Sequence, residues 1–321
     1  LTAQESALLE RATVHDITQK MADQLSVEGD KLVILGQLAQ SHVSFGRLMQ
    51  LSSLVARLSG AQLAWLPESG NSLGAMLVGA HPKQSGMNAA EMLRKGMDNW
   101  LLWNVDPAQD CLLPEATELT GRVVAVSAFD TPGLRVVADW LLPIAAFGEA
   151  AGSYVNANAL WQFAPVALTA PGEAKPGWKI LRVLGNMMNV AGFDYVSLDQ
   201  VTEAAKAAAV TATHINHDKL MSIKTDATPT GGSARVAELP MYATDIYVRH
   251  AQPLQAHQHA GQAVLRMNPQ EAMSSQVRVQ DINGVTVELN VVADARVAMG
   301  NIVAPMSLLA SLPADFLSLA A

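Results

Sequence analysis

The sequence predicts an α/β fold: a layered, mostly parallel sheet with flanking helices, followed by a small β-barrel-like domain. Two observations lead to this prediction. Short apolar runs alternate with helix-periodic segments through the first half of the 321 residues, as parallel strands alternate with crossover helices. Near the end, apolar and polar residues alternate on both sides of Asn283-Gly284, a pair typical of a two-residue hairpin turn.

Residues 1–165 are predicted to form the α/β domain. An opening helix is predicted from apolar residues at helical spacing that stop before Gly29, and further helices are predicted over 45–58 and from 131 onward. The apolar runs predicted as strands are 31–36, 61–66, 100–103, 123–126 and 140–142. Because helices separate the strands, the strands are expected to pair in parallel.

The rest of the chain is predicted to form a connection and a second domain. Residues 166–235 are predicted to be a helical connection and flexible linker, with helices over 178–184, after Pro176, and over 198–209. Residues 225–234 are rich in Thr, Gly and Pro, which is typical of a flexible segment. Residues 236–321 alternate with period two and are predicted to be the small β-barrel-like domain.

Charge and composition exclude several classes of protein. The 29 acidic and 21 basic side chains give a net charge of −8, which disfavours nucleic acid as a partner. Half of the residues are hydrophobic and 16% are charged, as in ordered globular chains. No apolar run approaches the roughly 18 residues that span a bilayer, so no membrane span is predicted. Since residue 1 is Leu rather than Met, we expect a fragment of a longer polypeptide.

Ligands for a metal or cluster are sparse. A single cysteine, Cys111, permits neither an internal disulfide nor a conventional iron–sulfur cluster, which needs about four ligands. The histidines form two groups. His214 and His217 would share a helix face, and in the group of His250, His257 and His259 the last two are spaced to share a strand face. No carboxylate accompanies either group at a metal-binding spacing, so we expect solvated histidines rather than a native metal site.

Two further groups of side chains have conventional interpretations. Several carboxylates crowd one region and are expected to be solvated loop charges rather than a catalytic pair. They are Asp98, Asp106, Asp110, Glu115 and Glu118. Met187 and Met188 lie in a helical pattern and are expected to fill the core.

One segment matches a catalytic pattern. Residues 70–74 read G-x-S-x-G, the nucleophile turn of α/β-hydrolases, with Ser72 as the nucleophile. Asp130 with His214 or His250 would complete the triad, although no oxyanion-hole motif precedes Ser72. The alternative is that Asn71 or Ser72 caps a helix and that the glycines allow a close approach to the sheet.

Three segments together resemble the molybdopterin oxidoreductases. The first is the loop of residues 68–75 with the later Gly79. The second comprises 138–143, 147–156 and 161–162, and it is similar to the family's A-D-x-x-L-P, E-x-x-G-[ST]-x-x-N and Q pattern. The third is 171–181, which is similar to the segment that follows in the family. The terminal part, from residue 242 through 264–269 to the hairpin around Asn283-Gly284, resembles a short form of the dinucleotide-binding β barrel that closes such chains.

Within this family the chain most resembles the large iron–sulfur subunits of bacterial NADH:quinone oxidoreductase, complex I. Residues 158–162 read Asn-Ala-Leu-Trp-Gln where many cofactor-binding members have Glu-Gly-Arg before the glutamine, so a basic partner for a phosphate is missing. The resemblance implies no catalytic, cofactor-binding or metal-binding residue and no cofactor in this chain. It places the iron–sulfur clusters in an N-terminal part of the full-length subunit, outside this sequence.

The resemblance also implies a role and a location. The chain would have a structural and assembly role in the peripheral arm, contacting other peripheral-arm subunits on the cytoplasmic side of the bacterial inner membrane. The parent enzyme would oxidise NADH, reduce quinone and translocate protons, while this chain alone would be non-catalytic. Two alternatives remain open at this point: a molybdopterin-dependent oxidoreductase fragment that binds its cofactor, and a serine hydrolase that uses Ser72.

Overall fold

The structure, a computed structural model, describes most of the chain. The described residues are 1–305 and 308, except for 11, 41, 43, 84, 112–117, 210–216, 223–233, 239–240, 258–259, 261–263 and 281–285. Helices in the first half are α1 (Ala3–Leu9), α2 (Asp16–Ser26), α3 (Gln37–Gln40), α4 (Phe45–Ser59), α5 (Ser72–Leu77), α6 (Ala89–Lys95), α7 (Pro107–Asp110) and α8 (Pro132–Val137). Helices in the second half are α9 (Gly177–Met187), α10 (Leu198–Ala208), α11 (His217–Met221), α12 (Met241–Thr244), α13 (Ile246–His250) and α14 (Gln252–Gln255).

The first two strands form a parallel pair, as predicted. Strands β1 (Leu32–Leu35) and β2 (Gln62–Trp65) are joined through α4, whose buried face includes Leu54 and Ala56. Helix α4 ends at Gly60, whose φ of 71° is a left-handed conformation that glycine adopts at little cost. The chain can therefore turn sharply from the helix into β2.

The opening helix differs from the prediction. The chain forms two helices, α1 and α2, instead of one continuous helix ending near Gly29. Thr2 caps α1 in a capping box with Glu5, and α2 starts afresh at Asp16. No residue of α2 is buried, so its apolar spacing predicts the helix correctly but not its packing.

A three-stranded parallel sheet forms the centre of the first half. Its order is β3 (Asn99–Trp103), β4 (Arg122–Ser127) and β5 (Trp140–Pro143), which confirms the predicted parallel pairing. The middle strand is the most buried, with Val123, Ala125 and Val126 at most 1% exposed. The helix predicted from residue 131 is α8, which connects β4 to β5. All three strands end at one edge of the sheet, the carboxyl edge.

An antiparallel hairpin follows the parallel sheet. Its strands are β6 (Gly152–Val155) and β7 (Trp161–Ala164). Helix α5 packs on β6 at Gly74, where an added Cβ would lie 2.2 Å from Asn71 Oδ1 and 3.2 Å from Val155 Cγ2. Only glycine fits this approach, which confirms the prediction that the glycine-rich loop allows close packing against a strand.

The predicted helices of the connection form as α9 and α10. Pro176 directly precedes α9, where its fixed φ and missing N–H are tolerated. Met187 and Met188 are 77% and 66% exposed, so the prediction that they fill the core is wrong. The proposed linker at 225–234 lies outside the described residues except for Ala234, which begins the next strand.

The final part of the chain is a five-stranded mixed sheet. Its order is β10 (Gln276–Gln280), β11 (Thr286–Ala293), β9 (Val264–Met267), β12 (Asn301–Pro305) and β8 (Ala234–Glu238). β10 and β11 pair antiparallel as predicted, while the turn residues Asn283 and Gly284 lie outside the described part. Leu265 and Ile302 are fully buried in its core. Within the described residues the sheet is open, with β10 and β8 at its edges, and no closed barrel forms.

Candidate functional site

A buried carboxylate organises the carboxyl edge of the parallel sheet. Asp106 follows β3 and is fully buried, so the prediction of a solvated loop charge is wrong for this residue. Its oxygens accept hydrogen bonds from Thr131 Oγ1 at 2.6 Å, from Gln109 Nε2 at 2.9 Å and from the backbone N–H of Ala108 at 3.1 Å. The Asp106-Pro107 pair is a helix-start signal, and recognising it would have predicted the cap.

Both helix N-termini at this edge are closed by side chains of the chain itself. Asp106 caps α7, and Thr131 caps α8 by accepting from the Leu134 N–H at 3.2 Å. Gly133 lies against the first cap, since an added Cβ would be 2.5 Å from Asp106 Oδ1. One backbone N–H of each helix start is therefore bound by a side chain, that of Ala108 by a carboxylate and that of Leu134 by a hydroxyl.

Ion pairs occupy two arginines beside the same edge. Arg249 of α13 donates to both oxygens of Asp110, at 2.5 and 3.2 Å, with its side chain only 6% exposed. Arg135 donates to both oxygens of Asp130, and this guanidinium lowers the pKa of Asp130. Arg249 is thus held in a nearly buried ion pair, whereas the pair of Arg135 with Asp130 is exposed, with side chains 71% and 49% exposed.

Aromatic rings from three parts of the chain meet beside these ion pairs. Phe129, which follows β4, stacks on the His250 ring with centroids 4.2 Å apart and lies 5.8 Å from the Tyr247 ring. Phe147, which follows β5, contacts Tyr154 edge-on at 5.8 Å. Burial, with a smaller contribution from Tyr247, raises the pKa of the Tyr154 hydroxyl. The cluster packs α13 against the sheet edge, with the His250 ring stacked on Phe129.

Ser72 does not have the surroundings of a nucleophile. Its hydroxyl lies 2.8 Å from Ser69 Oγ and accepts from the Ser69 N–H at 3.1 Å. Its nominated acid, Asp130, is bound by Arg135, and His214 lies outside the described residues. Asn71 occupies the N-cap position of α5 but accepts instead from the Val155 N–H at 2.8 Å. The loop therefore anchors α5 to β6.

A serine, a histidine and a glutamate do meet elsewhere in the structure. His217 Nε2 lies 2.9 Å from Glu5 Oε1, and His217 Nδ1 lies 2.7 Å from Ser53 Oγ. Arg57 also donates to Glu5 Oε1, at 2.5 Å. Hydrogen bonds from the Thr2 N–H, His217 and Arg57 lower the pKa of Glu5 from 4.5 to about 2, although burial opposes the shift.

This Glu5 cluster, made of Glu5, Ser53, Arg57 and His217, has a structural geometry. Ser53 is in the middle of α4 and only 5% exposed, so a substrate carbonyl has no access to its hydroxyl. The cluster joins α1, α4 and α11, and sequence spacing alone had not suggested it because its members are up to 212 residues apart. His217 is thus a bound side chain and not a solvated one, contrary to expectation.

The remaining histidines form no metal site in the described part of the chain. There, no three His, Cys, Asp or Glu side chains converge on one point. His257 faces Tyr242, with ring centroids 6.0 Å apart, and His259 lies outside the described residues. Cys111 ends α7 and is partly exposed.

Among the described helices, none is long and apolar enough to cross a membrane.

A large apolar groove lies on one face of the parallel sheet. Its volume is about 740 Å³, and α9 forms its opposite wall. Residues from all three strands line its floor, including Leu101, Val126 and Leu142. Cationic side chains of the segment around α9, among them Lys179 and Arg182, stand at its margin. The groove is concave and mostly apolar, as surfaces that bind partners are.

Polar residues of the family-like motifs bind backbone N–H groups. Asp139 accepts from the Val123 N–H at 2.7 Å and so joins the starts of β4 and β5. Glu149 accepts from the Ala146 N–H at 2.8 Å. Asn156 accepts from the N–H groups of Asn158 and Leu160, which shapes the turn between β6 and β7. These residues therefore hold the fold.

Comparison with known proteins agrees with the sequence resemblance. Residues 11–187, just over half of the chain, match the family model described as molybdopterin oxidoreductase. One relative is the mitochondrial 78 kDa subunit of NADH-ubiquinone oxidoreductase from Neurospora crassa, 43% identical over 54 residues. That alignment covers 17% of this chain and only 7% of the relative. The chain belongs to the molybdopterin oxidoreductase family.

Proposed function

We propose that this chain is a cofactor-free part of the large iron–sulfur subunit of a respiratory NADH:quinone oxidoreductase, complex I. Its role there is structural: it supports assembly of the peripheral arm and contacts neighbouring subunits. The similarity to the 78 kDa subunit of an NADH-ubiquinone oxidoreductase supports this assignment. The iron–sulfur clusters then lie in an N-terminal part of the subunit, and the arm lies on the cytoplasmic side of the bacterial inner membrane.

The carboxyl edge of the parallel sheet is the observation that carries the proposal. Ligands of open α/β sheets bind at this edge, and the molybdopterin dinucleotide of the family brings phosphates to be bound. Here Asp106 and Thr131 already cap α7 and α8, and Asp110 and Asp130 already bind the two neighbouring arginines. A phosphate at this edge would meet the carboxylates of Asp106, Asp110 and Asp130 beside the capped helix starts. This arrangement supports the proposal that the chain binds no cofactor.

Elemental analysis and pterin fluorescence test the absence of the cofactor directly. We expect the purified chain and the full-length subunit to contain neither molybdenum nor tungsten nor pterin in stoichiometric amounts. Stoichiometric metal with pterin in either preparation would refute the proposal and restore the cofactor-binding alternative.

An assembly experiment tests the structural role. Gly74→Ala is introduced into the full-length subunit in its native host, with Gly70→Ala as the matched control, because an added Cβ at Gly70 meets nothing within 4 Å. We expect Gly74→Ala to reduce the amount of assembled complex while NADH:quinone turnover per assembled complex stays unchanged. Lower turnover per complex at normal abundance would instead assign this region a part in the chemistry.

A further inference from the structure

The groove on the parallel sheet, here called the α9 groove, exposes an apolar surface that parallel sheets ordinarily cover. Register places Leu101 beside Val124 and Trp140, and Trp103 beside Val126 and Leu142, so all six side chains share one sheet face. Three of these are open to solvent: Leu101 is 46%, Trp140 51% and Leu142 44% exposed. Purely parallel sheets are covered on both faces, but among the described residues α9 and the segment with Tyr195 and Val196 leave this face partly open.

Helix α9 presents further apolar surface to the same space. Val183 lines the groove and is 48% exposed, and Met187 lines it and is 77% exposed. Leu181, two positions before Val183, lies outside the groove on the other side of the helix. The exposed residues of the sheet and of α9 thus form the two walls of one open apolar channel, and burial of both would be favourable.

Cations border the channel along α9. Lys179 and Arg182 of α9 line the groove three residues apart. Lys175, just before the helix, also lines it and forms an exposed ion pair with Glu173 at 3.7 Å. The Nε of Arg182 is buried and has no hydrogen-bond partner among the described residues. Lys179 lies over the Trp178 ring at 5.5 Å. A buried guanidinium N–H without a partner is costly, so an acceptor arriving with an occupant would be stabilised.

We propose that the α9 groove binds an amphipathic helix of a partner polypeptide, with its apolar face on the groove floor and its acidic residues along Lys175, Lys179 and Arg182. The proposal rests on the proposed function, since it treats the chain as one part of a larger assembly. α9 has 11 residues, about 16 Å of helix, so an occupant of roughly three turns would lie alongside it. A second copy of this chain is disfavoured because each copy carries a net charge of −8.

Site-specific photo-cross-linking in the native host tests the proposal. A benzophenone amino acid replaces Val183 in the full-length subunit, and the matched control carries it at Leu181, which is similarly exposed but outside the groove. Cross-linked peptides are identified by mass spectrometry. We expect position 183, and not 181, to capture one peptide with apolar residues at helical spacing and a net negative charge.

Charge reversal adds a second criterion. Lys179→Glu combined with Arg182→Glu should reduce the cross-link at position 183 by about fivefold or more, because two attractive pairs become repulsive. Lys20→Glu, on the exposed face of α2, is the control and should leave the yield unchanged. A lipid adduct, a peptide without acidic residues, no adduct specific to position 183, or insensitivity to charge reversal would each overturn the proposal.

The same experiment separates the two hypotheses. The apolar spacing and the net charge of the captured peptide show whether the groove binds an acidic amphipathic helix. The identity of the protein that contains the peptide bears on the proposed function, which predicts another subunit of the peripheral arm. A peptide of the large subunit itself would overturn the assignment of the occupant to a partner polypeptide. An acidic amphipathic helix from an unrelated protein would support the proposal that the groove binds such a helix. It would contradict the assignment of the chain to complex I.

Discussion

Replacing the buried Asp106 should lower the free energy of unfolding more than replacing a solvent-exposed aspartate does. Asp106→Ala removes the acceptor of three hydrogen bonds, from Thr131, Gln109 and the Ala108 N–H, at a fully buried site. Loss of the helix cap costs about 1 kcal/mol, and loss of a hydrogen bond to a buried charged group costs about 2 kcal/mol. The free energy of unfolding should therefore fall by about 3 kcal/mol.

A double-mutant cycle isolates the bond between the two caps. Thr131→Val removes the same 2.6 Å hydrogen bond from its donor side, along with the cap on the Leu134 N–H. Since both single substitutions remove this one bond, the double variant should be less destabilised than the sum of the singles, by about 1–2 kcal/mol. Asp194→Ala, which removes an exposed carboxylate, should change stability by less than about 0.5 kcal/mol.

Urea unfolding followed by tryptophan fluorescence and far-UV circular dichroism measures these differences. The comparison requires coincident transitions and unchanged slopes among the variants. Additivity of Asp106→Ala and Thr131→Val to within about 0.5 kcal/mol would refute the direct bond between the caps. A loss below about 1 kcal/mol for Asp106→Ala alone would refute the inference that this carboxylate organises the sheet edge.

Three further predictions follow from the same structure. Gly74→Ala should lower the free energy of unfolding, measured in urea, by about 1–3 kcal/mol, because the added Cβ overlaps Asn71 Oδ1. The control Gly70→Ala should change this free energy by less than about 0.5 kcal/mol. Equal effects of the two substitutions would contradict the close approach of α5 to β6. Because the pKa of Glu5 is lowered from 4.5 to about 2 on folding, its carboxylate stabilises the fold above pH 4.5, and this contribution is lost as the pH falls towards 2. The stability difference between wild type and Glu5→Gln, measured by urea titrations from pH 6 to 2, should therefore shrink on acidification; a constant difference would argue against the shift. A fluorophosphonate probe should leave Ser72 unlabelled in the folded chain, and labelling that Ser72→Ala abolishes would revive the hydrolase hypothesis.

Elements defined by local spacing were predictable from the sequence. Strand β4 is a short apolar run between a glycine and a helix start, and its parallel pairing with β5 follows from the predicted helix that connects them. The β10–β11 pair follows from period-two alternation around Asn283-Gly284. In each case a few neighbouring residues determine the backbone conformation, so no knowledge of distant contacts is needed.

Burial was harder to predict because it depends on contacts between distant parts of the chain. Asp106 was expected to be solvated since aspartates are seldom fully buried, but Thr131, 25 residues later, supplies its partner. Met187 was expected in the core because helical periodicity identifies an apolar face without showing what covers it. The three cations that line the α9 groove, Lys175, Lys179 and Arg182, can be located in the sequence. Their position beside an apolar groove cannot be predicted, because it depends on the sheet face opposite α9.

The positions of the motif residues show that parts of the family pattern stabilise the fold. Asp139 and Asn156 accept from backbone N–H groups that would otherwise lack partners at a strand start and in a turn. Replacing such an acceptor costs stability whether or not a cofactor is bound, so selection for the fold alone retains it. Substituting Asp139 by Ala should therefore reduce the stability of the chain, while the turnover of each correctly assembled complex stays unchanged. A family pattern of this kind identifies the fold, and the chemistry has to be argued from the sheet edge, where the buried Asp106 caps α7.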